Sequence, residues 1–170
     1  PMDILMGNRH FRPIYEAALE HGLPVGIHGG SESAGVNGPI LTGQPTYYFE
    51  VHSGLVQLAW AHLSSLVVEG TFVRYPDLKF VIQEMGYAWL PSWMWRMDKE
   101  WKSLRTEAPW LERPPSEYML EHVRFTSQPI EEPPKREYHQ QILEMMHGRD
   151  VLMFSTDYPH WDFDDPRHCF

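Results

Sequence analysis

One cysteine, Cys169, in 170 residues leaves no second thiol for an intrachain disulfide. That usage fits a reducing compartment, with the cytoplasm as the expected location. Positive charge is scarce as well: 14 Lys and Arg stand against 23 Asp and Glu, a formal net charge of -9, and the basic residues form no stripe. This balance argues against nucleic acid and anionic membrane as main partners. No apolar run approaches the roughly 20 residues needed to span a bilayer, and the N-terminus lacks the charged-then-apolar pattern of a secretion signal. Also missing are a phosphate-binding glycine loop, a serine nucleophile elbow, a His-Glu-x-x-His helix and any internal repeat. The expectation is a soluble domain with a small-molecule substrate.

What is present is ordinary globular material: 42% hydrophobic and 22% charged residues, enough to bury one core over residues 1–170. Apolar periodicity alternates strands and helices along the chain. Helical spacing of Phe11, Ile14, Tyr15, Ala18 and Leu19 predicts a helix that Gly22 ends in a left-handed cap. A strand follows over 24–28, then a loop over 29–48 with five glycines and two prolines. Two helices are expected within 49–72, a strand over 78–84, and a helix with the apolar face Leu90, Trp93, Met94, Met97, Trp101 and Leu104. After a Pro-rich connection Ser116 is read as the cap of a short helix, and Val123–Thr126 as a strand. Pro133 and Pro134 are read as opening a helix that Gly148 closes, and the last strand is placed over 151–155.

Four strands separated by helices, with no hairpin signal, imply a parallel α/β sheet with right-handed crossovers. A complete (β/α)8 barrel of the TIM type needs roughly 250 residues. Four units are half of eight, so the expected architecture is a partial barrel, the C-terminal half without its last helix. The ends agree with this, since the chain starts on Pro1 and stops shortly after a strand end, as if cut from something longer.

Two of these strands end on metal-type ligands. Pro24-Val25-Gly26-Ile27 stops on His28, and Val151-Leu152-Met153-Phe154 leads to Asp157. An imidazole and a carboxylate at the ends of parallel strands are how such a barrel holds a catalytic divalent ion, because its strand ends converge on one face. The order Pro24-Val25-Gly26-Ile27-His28-Gly29-Gly30, Tyr75-Pro76-Asp77-Leu78-Lys79-Phe80-Val81-Ile82-Gln83-Glu84-Met85-Gly86, Trp89-Leu90-Pro91 with Arg96-Met97-Asp98, and Phe154-Ser155-Thr156-Asp157-Tyr158-Pro159-His160 resembles the amidohydrolase superfamily, in its amidohydrolase-related (type 2) branch. That branch contains metal-dependent hydrolases together with decarboxylases of aromatic and related acids. The resemblance implies a distorted TIM barrel whose metal is held by a His-x-His pair on the first strand, a His on the fifth and an Asp on the eighth. His28 matches the fifth-strand ligand and Asp157 the eighth.

Two departures stand out: no His-x-His pair occurs in these residues, and Glu84 stands at the end of the sixth strand, where many relatives carry histidine. The parent protein is expected to supply the pair some 150 to 200 residues before His28, a rough figure from half a barrel plus insertions. Metal ligands are therefore expected at His28 and Asp157, with Asp157 also moving the proton. Glu84, His160 and His52 are candidates for binding substrate, each with a duller alternative: a strand-end salt bridge, a turn histidine and a helix-surface histidine. Asp162, Asp164 and Asp165 lack the pattern of a calcium loop. The resemblance implies a divalent metal, with zinc expected, and a hydrolase of a small carbonyl compound acting through metal-activated water. The alternatives are a carboxy-lyase of an aromatic acid and an inactive truncated half barrel. Two unpaired strand edges would favour a homo-oligomer.

Overall fold

The computed structural model describes residues 4–30, 43 and 45–168. Four short strands, β1 (Val25–His28), β2 (Phe80–Gln83), β3 (Val123–Thr126) and β4 (Leu152–Met153), form one parallel sheet in the order β1-β2-β3-β4. Each strand therefore lies beside its successor, joined by a helical crossover, as a strand–helix alternation requires. Among the described residues this is an α/β partial barrel of four units, with β1 and β4 each paired on one edge only.

The register explains how the sheet divides its faces. Val25 lies opposite Phe80, and Phe80 opposite Val123; Ile27 lies opposite Ile82, and Ile82 opposite Phe125. Phe80, Ile82, Val123 and Phe125 are buried against the helices, while Gln83, Arg124 and Thr126 share the other, partly open face with His28. Period-two alternation thus sends His28 to the side that becomes the interior of a closed barrel.

The helices are α1 (Arg12–Glu20), α2 (Tyr48–Gly54), α3 (Val56–Val68), α4 (Thr71–Arg74), α5 (Leu90–Leu104), α6 (Pro115–His122), α7 (Arg136–Met145) and α8 (Gly148–Val151). Gly22 does adopt the left-handed conformation expected after α1, at φ 64°. The stretch expected to hold two helices holds three, α2 to α4, because Gly70 at φ 72° starts a further turn. Tyr48–Val68 is, by length and composition, long and apolar enough to cross a membrane, a property hidden from a search for uninterrupted runs by its scattered polar residues. In this fold Ala59, Leu63, Leu66 and Val67 bury its inner face in the core.

Three local expectations need correction. Helix α7 begins at Arg136 rather than at the two prolines, because a residue before proline is pushed out of the helical region. His147, not Gly148, takes the left-handed position at φ 58°, and Gly148 opens the single turn α8, which shortens the last strand to two residues. Ser116 does not cap α6; instead Asp98 on α5 accepts its N–H at 2.9 Å and its hydroxyl at 2.7 Å. A tertiary carboxylate does the work that local sequence suggested for the serine.

His122 ties α6 to the sheet and makes stability depend on pH. It is 1% exposed, stacks on Phe72 at 4.5 Å between ring centres, and its Nδ1–H donates to the Leu78 carbonyl at 2.9 Å. Burial pushes its pKa below the usual 6.5, with the Leu78 bond working the other way. The unfolded chain takes up a proton as pH falls through 6.5, whereas the folded chain resists it. Stability present above that pH is therefore lost below it. We expect the melting temperature to fall between pH 7.5 and about 5.5, and to fall less in His122→Phe, as thermal unfolding across that range would show. Equal slopes in the two proteins would remove His122 as the cause.

Candidate metal centre

The parallel strands deliver their C-terminal ends to one rim, and the chemistry collects there. His28 is the last residue of β1, and its Nε2 lies 2.8 Å from Oε1 of Glu84, the residue directly after β2. The Glu84 N–H donates to Thr126 Oγ1, at the end of β3, at 3.1 Å. Asp157 follows β4, and its Oδ2 lies 2.8 Å from Nδ1 of His160 within one turn, closed by the His160 N–H on the Asp157 carbonyl at 2.9 Å. One ligand atom each from Glu84, Asp157 and His160 lies within 4.8 Å of the others.

The backbone is strained where it presents these carboxylates. Glu84 and Asp157, both at φ 56°, are two of the three non-glycine residues with positive φ among the described residues. Such a conformation costs of order 1–3 kcal/mol and concentrates at functional sites. Asp tolerates the left-handed region through its short side chain, but Glu gains nothing from it.

Electrostatics couple the imidazole of β1 to the rest. Burial alone would lower the His28 pKa, but the hydrogen bond to Glu84, the contact with the Gly29 carbonyl and the charges of Glu84 and Asp157 together raise it above 6.5. The Asp157 charge is the last and smallest of these influences, and no hydrogen bond or ion pair joins the two side chains among the described contacts. His28 Nε2 is engaged by Glu84, and His28 meets the three-residue group through that contact. To serve as a ligand through Nε2, His28 must release Glu84.

His52 is elsewhere, on α2, with Nε2 3.2 Å from Asp162 Oδ2. Asp162 also accepts from Gln128 Nε2 at 3.2 Å, so one carboxylate links the segments that follow β1, β3 and β4. Sequence reading placed Asp162 in an acidic cluster with Asp164 and Asp165, and the fold pulls that cluster apart. Asp164 accepts the Ile130 N–H at 3.1 Å, while Asp165 pairs with Arg167. No local signal marks Asp162, because its partners lie 34 and 110 positions away. Beside it stand three rings: Trp161 is 5.4 Å from His52 and 6.5 Å from Tyr48, and Tyr48 is 5.8 Å from His52. The expected pocket loop 29–48 falls largely outside the described residues, as does Cys169.

Two carboxylates and an imidazole, with a second imidazole adjacent, fit a divalent cation that accepts mixed oxygen and nitrogen donors. A profile of the family described as Amidohydrolase matches residues 1–170. No match was found among curated proteins. Among solved structures the chain is similar to 5-carboxyvanillate decarboxylase from Sphingomonas paucimobilis, with 22% identity, TM-score 0.64, 92% of this chain and 45% of that one. It is similar to an amidohydrolase from Mycobacterium avium subsp. paratuberculosis, with 21% identity, TM-score 0.66, 94% of this chain and 39% of that one. It is also similar to dihydroxybenzoic acid decarboxylase from Polaromonas, solved with manganese and the inhibitor 2-nitroresorcinol, with 22% identity, TM-score 0.65, 98% of this chain and 47% of that one. The chain thus spans less than half the length of each of these three structures.

Proposed function

The chain belongs to the amidohydrolase family, and from that premise we propose that it builds part of a metal-dependent enzyme that removes carbon dioxide from a small aromatic acid. The observation that carries this reading is the aromatic wall directly after His160. Trp161 is 74% exposed and Tyr48 61% exposed, with His52 between them held by Asp162. Large rings left facing solvent beside a charged mouth favour a planar ligand that stacks on them. The decarboxylases of aromatic acids among the similar structures agree with that substrate class.

A divalent ion such as manganese or zinc, held by Glu84, Asp157, His160 and His28, would polarise a substrate oxygen and lower the pKa of a bound water toward about 7. Asp157 then holds the mobile proton at Oδ2, where His160 Nδ1 can exchange it. In decarboxylation the bond between ring carbon and carboxyl carbon breaks and carbon dioxide leaves. The electron pair stays on the ring carbon, which takes the proton from Asp157. Tyr48 and Trp161 orient the ring and exclude water from one side of it. The same Asp157–His160 pair favours a second reading, hydrolysis of a small carbonyl compound. Asp157 would there take a proton from water and return it to the leaving group.

Incubating the chain with small aromatic acids and manganese or zinc, and following carbon dioxide release, separates the readings. Product formation from amides, esters or lactones with no carbon dioxide would replace the carboxy-lyase by the hydrolase. Inertness toward both classes would favour the truncated half barrel. In the active protein we expect Trp161→Ala to raise KM by about 10-fold with little change in kcat, the loss of one ring-stacking contact. An unchanged KM would take the wall out of substrate binding. Among the described residues β1 and β4 are each paired on one edge only, which supports self-association, and sedimentation of the chain would measure it.

A further inference from the structure

The segment from Glu84 to Ala88 leaves β2 through two left-handed residues, Glu84 at φ 56° and Gly86 at φ 62°. Its amides at Tyr87 and Ala88 both donate to Oε1 of Glu131, at 3.0 and 3.1 Å, although Glu131 sits in the loop after β3, more than 40 positions away. The second oxygen, Oε2, is shielded from solvent and finds no hydrogen-bond partner among the described residues. Glu131 as a whole is half-buried, and a shielded oxygen of this kind is unusual, because buried polar atoms are almost always hydrogen-bonded. Burial pushes the Glu131 pKa up, against the amide bonds from Ala88, its own N–H and Tyr87. A β-carbon at Gly86 would stand 2.4 Å from Oε1, so glycine there is what lets the carboxylate approach.

We propose that Glu131 is a positioning residue that fixes the turn 84–88 by gripping its two amides, so that the Glu84 carboxylate faces His28 and the metal group. Thr126 holds the turn at its start through the Glu84 N–H, and Glu131 holds it at its end. The Trp89 indole N–H donates to the Met85 and Gly86 carbonyls at 3.1 Å each and stiffens the middle. With the backbone held at these points, the left-handed residue at 84 cannot relax toward a commoner conformation, and its side chain keeps its aim.

This proposal rests on the reading of Glu84 as a metal ligand, and titration of the full chain with manganese or zinc by calorimetry tests the two separately. Glu84→Gln should weaken metal binding by 10-fold or more, roughly the loss of a charged ligand. Glu131→Ala should weaken it by a similar factor, and should add little to the loss in a Glu84→Gln background. Glu131→Gln keeps the Oε1 acceptor and should bind metal within about threefold of the parent, whereas Glu131→Asp keeps the charge but withdraws the acceptor and should lose affinity. If Glu131→Ala does not fold, the Gln and Asp variants decide alone. No binding by the parent, or unchanged binding by Glu84→Gln, overturns the reading of Glu84 and the proposal with it. Loss in Glu84→Gln with parent-like affinity in Glu131→Ala overturns the positioning role alone. So does an Asp variant that binds better than Gln, since Glu131 would then act through its charge.

Discussion

Asp157→Asn is expected to reduce turnover by about 10³-fold while leaving the fold intact, the range that a positioned acid or base contributes. Asn has nearly the shape of Asp and is among the few residues that tolerate φ near 56°, so the turn that ends on Asp157 survives the change. Its side-chain oxygen can still accept from His160 Nδ1. What it loses is the charge that acts on His28 and the ability to carry a proton. The stability change should be within about 0.5 kcal/mol by thermal unfolding, so lost activity could not be attributed to lost structure. Asp157→Gly sharpens the contrast: it should relieve the left-handed strain and gain up to about 1 kcal/mol of stability, yet be equally inactive. Retained turnover in the Asn variant, measured by carbon dioxide release or hydrolysis, would remove Asp157 from the mechanism.

That expectation begins in the sequence, and it shows where a sequence is legible. His28 and Asp157 stand out because each ends an apolar run, and a parallel sheet gathers such ends on one rim whatever the helices between them do. The four strands are equally visible, since β-branched and aromatic residues bounded by turn residues need no tertiary information. Glu84 is legible as a position, the residue after β2, but not as a partner of His28. That contact depends on the register that sets His28 opposite Gln83. Asp162 and Glu131 lie beyond this limit. Each is one acid among many in the chain, and each acquires its role from groups that only the fold brings near. The helix ends failed for a related reason. Asp98 accepts the N–H and hydroxyl of Ser116, which the sequence marks as a cap, and a local motif cannot foresee a rival from another helix. His147 in the left-handed position shows the same effect, because close packing of Gly148 on Leu143 decides which residue turns.

Trp93→Ala should be the most damaging substitution in the core, costing about 4 kcal/mol, the usual range for removing a large buried aromatic side chain. Trp93 is fully buried on α5, and its indole N–H donates to Ser64 Oγ on α3 at 2.9 Å. The Ser64 hydroxyl in turn donates to the Trp60 carbonyl at 2.7 Å. Removing the ring opens a cavity between the two helices and leaves the serine oxygen short of a donor. Against a total stability of about 5–15 kcal/mol this is a large fraction. Trp93→Phe, which keeps most of the volume and loses the N–H, should cost only about 1–2 kcal/mol. Urea unfolding of the three proteins gives the comparison, with the midpoint falling and the slope unchanged if packing is the cause. The site should feel the change, because α5 starts beside Trp89, whose indole holds the Met85 and Gly86 carbonyls of the turn that presents Glu84. Metal affinity in Trp93→Ala should therefore fall under conditions where the protein is still folded. Full affinity there would show that the turn is set by Thr126 and Glu131 without help from the helix behind it.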